Sequence, residues 1–212
     1  MSPAEIRARE AIADAGRMLA DRGLAHGTAG NISIRLDDGL LVTPTNSALG
    51  SLDPSRIAKI DFEGVHLGGD PPSKEGFMHI ASYARRVQDA AVVHLHCAHS
   101  VAVSCLDGLD PQAPIPPITA YYAMKVGGLT LLPYFRPGDP ALADAVAAVD
   151  PARHAILLAN HGPIVSGKSL DAAVGAIEEL EETARIFLLL GGRAVRALTP
   201  DQLADLAAAF PS

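Results

Sequence analysis

The chain has no tryptophan and only two cysteines, Cys97 and Cys105, among 212 residues. A domain of this length buries about 70% of the surface its unfolded form exposes, enough to hold together without covalent staples. Two thiols outside any framework suit a reducing compartment, so a cytoplasmic location is expected and both are read as small core residues. Long hydrophobic runs are also missing. The most apolar window, residues 90–106, is interrupted by His94, His96 and His99, short of the ~18 consecutive apolar residues that a membrane span needs. Residues 1–23 carry Arg, Glu and Asp at helical spacing where an export signal would be apolar. Positive charge is scarce too, with 17 Lys and Arg against 24 Asp and Glu, a net charge of -7. The basic residues are scattered apart from Arg85-Arg86, whereas a nucleic-acid surface needs them clustered. Neither a nucleic acid nor a membrane is an expected partner.

What is present alternates between the two regular periods. Ser2, Pro3 and Glu5 read as a helix start, and Ile6, Ile12, Met18 and Leu19 form the apolar stripe of a surface helix that stops near Gly23. A Gly-rich break at 27–30 precedes an alternating strand, Asn31 to Arg35, then a turn at Asp37-Asp38-Gly39 and a strand, Leu40 to Thr43. Ser73 is placed to cap a helix running to about Arg86. Ala90 to His96 reads as a buried strand, with a short helix near Ala98 to Cys105, and His154 to Asn160 as a second buried strand. Asp139 to Val149 and Ser169 to Leu190 are helical, and Thr199-Pro200-Asp201-Gln202 opens a last helix with a capping box. Strands and helices mixed in this way, without linker or repeat, predict one domain over 1–212 in the α/β class with a sheet that is not purely parallel.

Histidine carries the chemical signal. His94 and His96 stand at i and i+2, which on a strand turns both rings to one face, two rises of ~3.3 Å apart and near enough to share a cation. An isolated pair of this kind also occurs in cores, bonded to backbone carbonyls. A third imidazole would complete a nitrogen set with open positions, the pattern of a catalytic rather than a closed structural site. His161 can supply it from the end of the other apolar strand; on spacing alone so can His26, His66, His79, His99 or His154. Glu75 falls in the first turn of the helix opened by Ser73, where the helix dipole favours its ionised form, although many first-turn carboxylates do nothing further. The turns at 27–31 and 43–46 and the Ser73-Lys74 pair offer NH groups, hydroxyls, an amide and an ammonium, all suited to a phosphate.

Gly-Thr-Ala-Gly-Asn-Ile-Ser (27–33), Thr-Pro-Thr-Asn (43–46), Pro-Ser-Lys-Glu (72–75), Val-Val-His-Leu-His (92–96) and Asn-His-Gly (160–162), taken together, resemble the class II aldolase/adducin family in order and distance across nearly the whole chain. The resemblance implies a three-layer α/β/α sandwich with a mixed, largely antiparallel central sheet. It puts His94, His96 and His161 on the ligands of one divalent ion, Zn2+ first and Mn2+ or Co2+ as alternatives, and Glu75 on the acid/base beside it. Asn31, Thr45, Asn46, Ser73 and Lys74 fall on the phosphate pocket. Tyr121 matches a tyrosine supplied by a neighbouring subunit in the aldolases, and the resemblance implies a homotetramer with active sites at its interfaces. Two positions depart from the aldolase pattern: Lys74 replaces a serine and Asn46 a glycine. Lys74, Lys125, the 133–139 segment Pro-Tyr-Phe-Arg-Pro-Gly-Asp and the run 178–183 look like the 3-oxo-tetronate 4-phosphate decarboxylase branch. That branch would convert a small phosphorylated sugar acid to dihydroxyacetone phosphate and CO2 through a metal-stabilised enediolate, with the two lysines holding the added negative charge. A sugar-phosphate aldolase is the alternative, and a non-enzymatic adducin-like interaction module a further one.

Overall fold

The computed structural model describes residues 1–210; positions 211–212 of the expected domain lie outside the described residues. Seven α-helices are found among them: α1 (Pro3–Asp21), α2 (Gly76–Arg85), α3 (Ala98–Ser104), α4 (Ala120–Lys125), α5 (Ala141–Ala147), α6 (Leu170–Leu190) and α7 (Pro200–Ala209). The strands are β1 (Asn31–Leu36), β2 (Gly39–Val42), β3 (Ala58–Ile60), β4 (His66–Gly68), β5 (Ala91–His94), β6 (Leu129–Leu132), β7 (Ala155–Leu158) and β8 (Gly162–Gly167). They form one sheet in the order β4-β3-β2-β1-β5-β8-β7-β6. Only β6 and β7 run parallel; the other neighbours are antiparallel. No described helix is long and apolar enough to cross a membrane.

Strand alternation divides the core into two layers. Ile32, Leu41, Val93, Leu157 and Val165 pack with Ile12 of α1, Val103 of α3, Tyr122 of α4 and Ile177 of α6. Leu40, Val42, Val92, Ile156 and Ile164, on the other face, pack with Met78 and Tyr83 of α2 and with Leu142 and Val146 of α5. Helices therefore cover both faces, giving the three-layer sandwich that the resemblance implied. Side chains at paired positions share a face, so Asn31 beside His94 and Ser33 beside Val92 all face α2.

Several boundaries differ from the sequence expectation. α2 begins at Gly76, with Glu75 as its N-cap; Ser73 Oγ accepts the Glu75 N–H at 3.3 Å, so Ser73 braces the turn before the helix. β5 ends at His94 and His96 lies beyond it, held through Leu95 N–H to the Pro163 carbonyl at 3.2 Å. The second apolar strand, β7, is not the neighbour of β5; β8, unread because it opens with Gly162-Pro163, lies between them. Ser2 caps α1 through Glu5 N, but the Glu5 carboxylate turns to Arg9 at 2.9 Å and Lys59 at 3.5 Å instead of closing the box. Ile6 is exposed, and so is Cys105, unlike the buried Cys97.

Candidate metal centre

Three short segments converge at the end of the sheet where β1, β5 and β8 meet. His94 is the last residue of β5, paired with Ile164 of β8 on one side and Asn31 of β1 on the other. His161 sits in the tight turn joining β7 to β8, closed by its N–H to the Leu158 carbonyl at 3.1 Å. Asn160 occupies the third corner of that turn with φ 56°, a left-handed conformation that asparagine tolerates better than most residues. The following Gly162 has no alternative, because a Cβ there would lie 2.4 Å from the Leu95 carbonyl oxygen. The Asn-His-Gly motif thus turns the chain, presents the imidazole, and lets β8 close against the segment carrying His96.

The donor atoms of Glu75, His94, His96 and His161 all lie within 4.8 Å of one another. His94 Nε2 is 3.0 Å from His96 Nε2, and Glu75 reaches His94 Nε2 at 3.5 Å and His161 Nε2 at 3.3 Å. The three rings stand edge to face, centroids 4.7 to 4.9 Å apart. His94 Nδ1 lies 2.8 Å from the Pro163 carbonyl, so that nitrogen carries the ring proton and Nε2 presents a lone pair to the cluster. Burial depresses His94 to about 3 against the opposing pull of Glu75, and burial also lowers His96. Burial would raise Glu75, but hydrogen bonds from His161 and the Asn31 amide, together with electrostatic attraction toward His94 and His161, outweigh it and hold the carboxyl below its usual range. At neutral pH the cluster therefore pairs a neutral His94 with a carboxylate. Converging imidazole nitrogens and one anionic oxygen fit a divalent cation.

The remaining expected residues divide into two groups. Asn31 joins the centre, donating Nδ2–H to Glu75 Oε2 at 2.7 Å. The 43–46 and 71–75 loops are stitched together around an antiparallel bridge between Pro44 and Pro72, with Thr45 N–H to the Pro71 carbonyl at 2.9 Å and Ser73 N–H to the Thr43 carbonyl at 3.1 Å, which holds both loops against each other just before Glu75. Asn46 takes the left-handed conformation, φ 57°, and lines a small polar cleft with Thr45, Asp53 and Arg56. Lys74 is exposed. Tyr121 and Lys125 are not brought to the cluster by their own chain. Tyr121 is 63% exposed, and Lys125 lines a cleft with Arg86, His154 and Gly167, at the end of β5 and β8 opposite to His94. Sequence reasoning used the 133–139 segment only as a mark of the decarboxylase branch and gave no site role to Tyr134 and Phe135, which line an open cleft of about 470 Å³ beside His96 and His161. Adjacent aromatics in a chain with 4% aromatic content were the available signal. It also missed Ser33 and Tyr83, which lie behind Asn31 and His79.

A carboxylate and three imidazoles gathered at the end of a mixed α/β/α sheet define a candidate metal centre. The chain belongs to the class II aldolase and adducin N-terminal domain family, whose model matches residues 10–188. It is 47% identical over 203 residues, 95% of this chain and 93% of the relative, to a 3-oxo-tetronate 4-phosphate decarboxylase of Pectobacterium atrosepticum. Similarity to an L-fuculose phosphate aldolase of Escherichia coli is lower, 39% over 168 residues, 78% of this chain and 75% of the aldolase. The crystal structure of YgbL from Klebsiella pneumoniae superposes with a TM-score of 0.92 at 46% identity, covering 95% of this chain and 98% of that one.

Proposed function

We propose that this chain decarboxylates a 3-oxo-tetronate 4-phosphate to dihydroxyacetone phosphate and CO2, with His94, His96 and His161 holding one divalent ion, zinc first and manganese or cobalt as alternatives. The observation that carries this reading is the extent of identity: it runs through nearly the whole chain with the decarboxylase and is lower over a shorter span with the aldolase. A divalent ion there would supply Lewis acidity toward the carbonyl oxygen next to the breaking bond, a contribution of several kcal/mol. Glu75 takes up a proton and delivers it to the carbon that has lost CO2, so that one proton is consumed per turnover. Asn31 and His161 hold the two oxygens of that carboxyl group in place.

Thr45, Asn46, Ser73 and Lys74 are the proposed cradle for the phosphate and for the second negative charge that distinguishes this substrate from an aldol substrate. Lys74 acts as an exposed point charge one residue before the acid. Tyr121 and Lys125 would come from a neighbouring copy in a homotetramer. The separation of Lys125 from its own cluster, at opposite ends of β5 and β8, supports that arrangement.

The test is product analysis of the purified protein with a 3-oxo-tetronate 4-phosphate. Release of CO2 and dihydroxyacetone phosphate that stops on chelation and returns with added zinc is the expected result. Cleavage of a ketose 1-phosphate to an aldehyde, with no CO2 from the sugar acid, would replace this reading with the aldolase. A purified chain that retains no divalent ion and turns over neither substrate would point to a binding module.

A further inference from the structure

Behind Glu75 lies a buried file of side chains that the proposed chemistry does not use. Asn31 Nδ2 stands 2.7 Å from Glu75 Oε2 and Asn31 Oδ1 2.5 Å from His79 Nε2. His79 Nδ1 is 2.7 Å from Ser33 Oγ, and Ser33 Oγ is 2.7 Å from the Tyr83 hydroxyl. All four residues are at most 4% exposed. Asn31 and Ser33 are i and i+2 on β1 and face α2; His79 and Tyr83 are i and i+4 on α2 and face β1. The file is therefore built by strand and helix periodicity meeting at two rungs.

The direction of every hydrogen bond in it follows from its first member. A carboxylate only accepts, so Asn31 turns its NH2 to Glu75 and its carbonyl to His79. That carbonyl only accepts, so the proton of the ring sits on Nε2, and a neutral ring then offers Nδ1 as an acceptor. Ser33 donates its one proton to Nδ1, and Tyr83 donates to Ser33. The reverse sense would aim the Asn31 carbonyl at the Glu75 carboxylate, two acceptors 2.7 Å apart.

We propose that His79 is a positioning residue: held as the neutral Nε2–H tautomer by Ser33 and Tyr83, it fixes the Asn31 amide so that a donor always faces Glu75. The inference rests on Glu75 being the acid/base of the proposed reaction. His79 is neither one of the four clustered donors nor a residue lining the cleft beside His96 and His161; it acts through Asn31.

The direct measurement is imidazole 15N NMR of the histidine-labelled protein at neutral pH, which needs no substrate and no substitution. An Nε2–H tautomer for His79 is expected; an Nδ1–H tautomer overturns the proposal. Kinetics provide the second arm. His79→Leu keeps bulk but removes the donor, and kcat should fall by about 10–100-fold, the usual range for a partner that orients a site residue, while KM and bound zinc stay close to the parent values. His79→Gln can still donate to the Asn31 carbonyl and should recover most of the loss. Equal losses in the Leu and Gln variants, tracking a lowered urea midpoint, would show that His79 only fills space and would defeat the inference. Undiminished decarboxylation by Glu75→Gln would remove the functional reading beneath it instead, and the NMR result distinguishes the two failures.

Discussion

Asn46 shows how a single departure from a family pattern can be conservative in conformation. The aldolase pattern that the sequence resembles has glycine there, and the backbone accommodates the exchange: at φ 57° glycine is unstrained and asparagine is among the side chains that best tolerate the left-handed region. Asn46→Gly should therefore change stability by less than ~0.5 kcal/mol, whereas Asn46→Ala should lose about 1–2 kcal/mol from the left-handed penalty. Urea denaturation of the two variants checks this, and equal losses would show that the asparagine amide, not the backbone, fixes the turn. His94 is partly legible at the same scale: histidines two apart in an apolar stretch can share a face, and only the further motifs of the resemblance set them apart from core histidines. The tautomer it adopts was not legible, since that depends on Pro163, a carbonyl 69 residues away.

At the scale of elements, the segment 160–167 was the hardest to read. Gly162-Pro163 looks like a break, yet it opens a central strand, because a proline can sit where only its carbonyl is needed. Here that carbonyl serves both Leu95 N–H and His94 Nδ1. β3 and β4 were missed for a different reason: with three residues each they are too short to display a period. Helices with explicit caps, α1, α6 and α7, were placed within about two residues, since Ser2, Ser169 and Thr199 each accept a backbone N–H where expected. The Glu75–Asn31–His79 connection escaped the sequence altogether, because it links positions 44 and 48 residues apart. The close contact of β8 with the segment after β5 gives a prediction at this scale. Gly162→Ala should destabilise the protein by roughly 1–3 kcal/mol through backbone strain and should reduce zinc uptake by displacing His96 or His161. Isothermal titration with zinc and urea denaturation measure the two effects, and unchanged values in both would show that the hairpin can shift without disturbing the cluster.

The whole molecule carries an acid weakness that originates in its buried imidazoles. Burial holds His79 at about 4 in the folded state against 6.5 when unfolded. Below pH 6.5 the unfolded chain takes up a proton that the folded chain refuses until about pH 4, so acidification favours unfolding throughout that window. At about 1.4 kcal/mol per unit, this one group removes roughly 3 kcal/mol between those limits, and His94, depressed in the same direction, adds to it. Urea midpoints of the metal-free protein should be level above pH 7.5 and fall steadily from pH 6.5 to pH 4.5; a flat profile would mean that these rings titrate normally. The four clustered donors, Glu75, His94, His96 and His161, bear on stability from the opposite side. Both cysteines are free, so no covalent link closes any loop of the chain. A cation gripped by Glu75 and His161 would serve as the missing clasp, joining the foot of α2 to the middle of the sheet across the stretch between residues 75 and 161. Removing it with a chelator would then loosen the fold in proportion to the affinity lost, making metal supply a determinant of the protein's lifetime as well as of its chemistry.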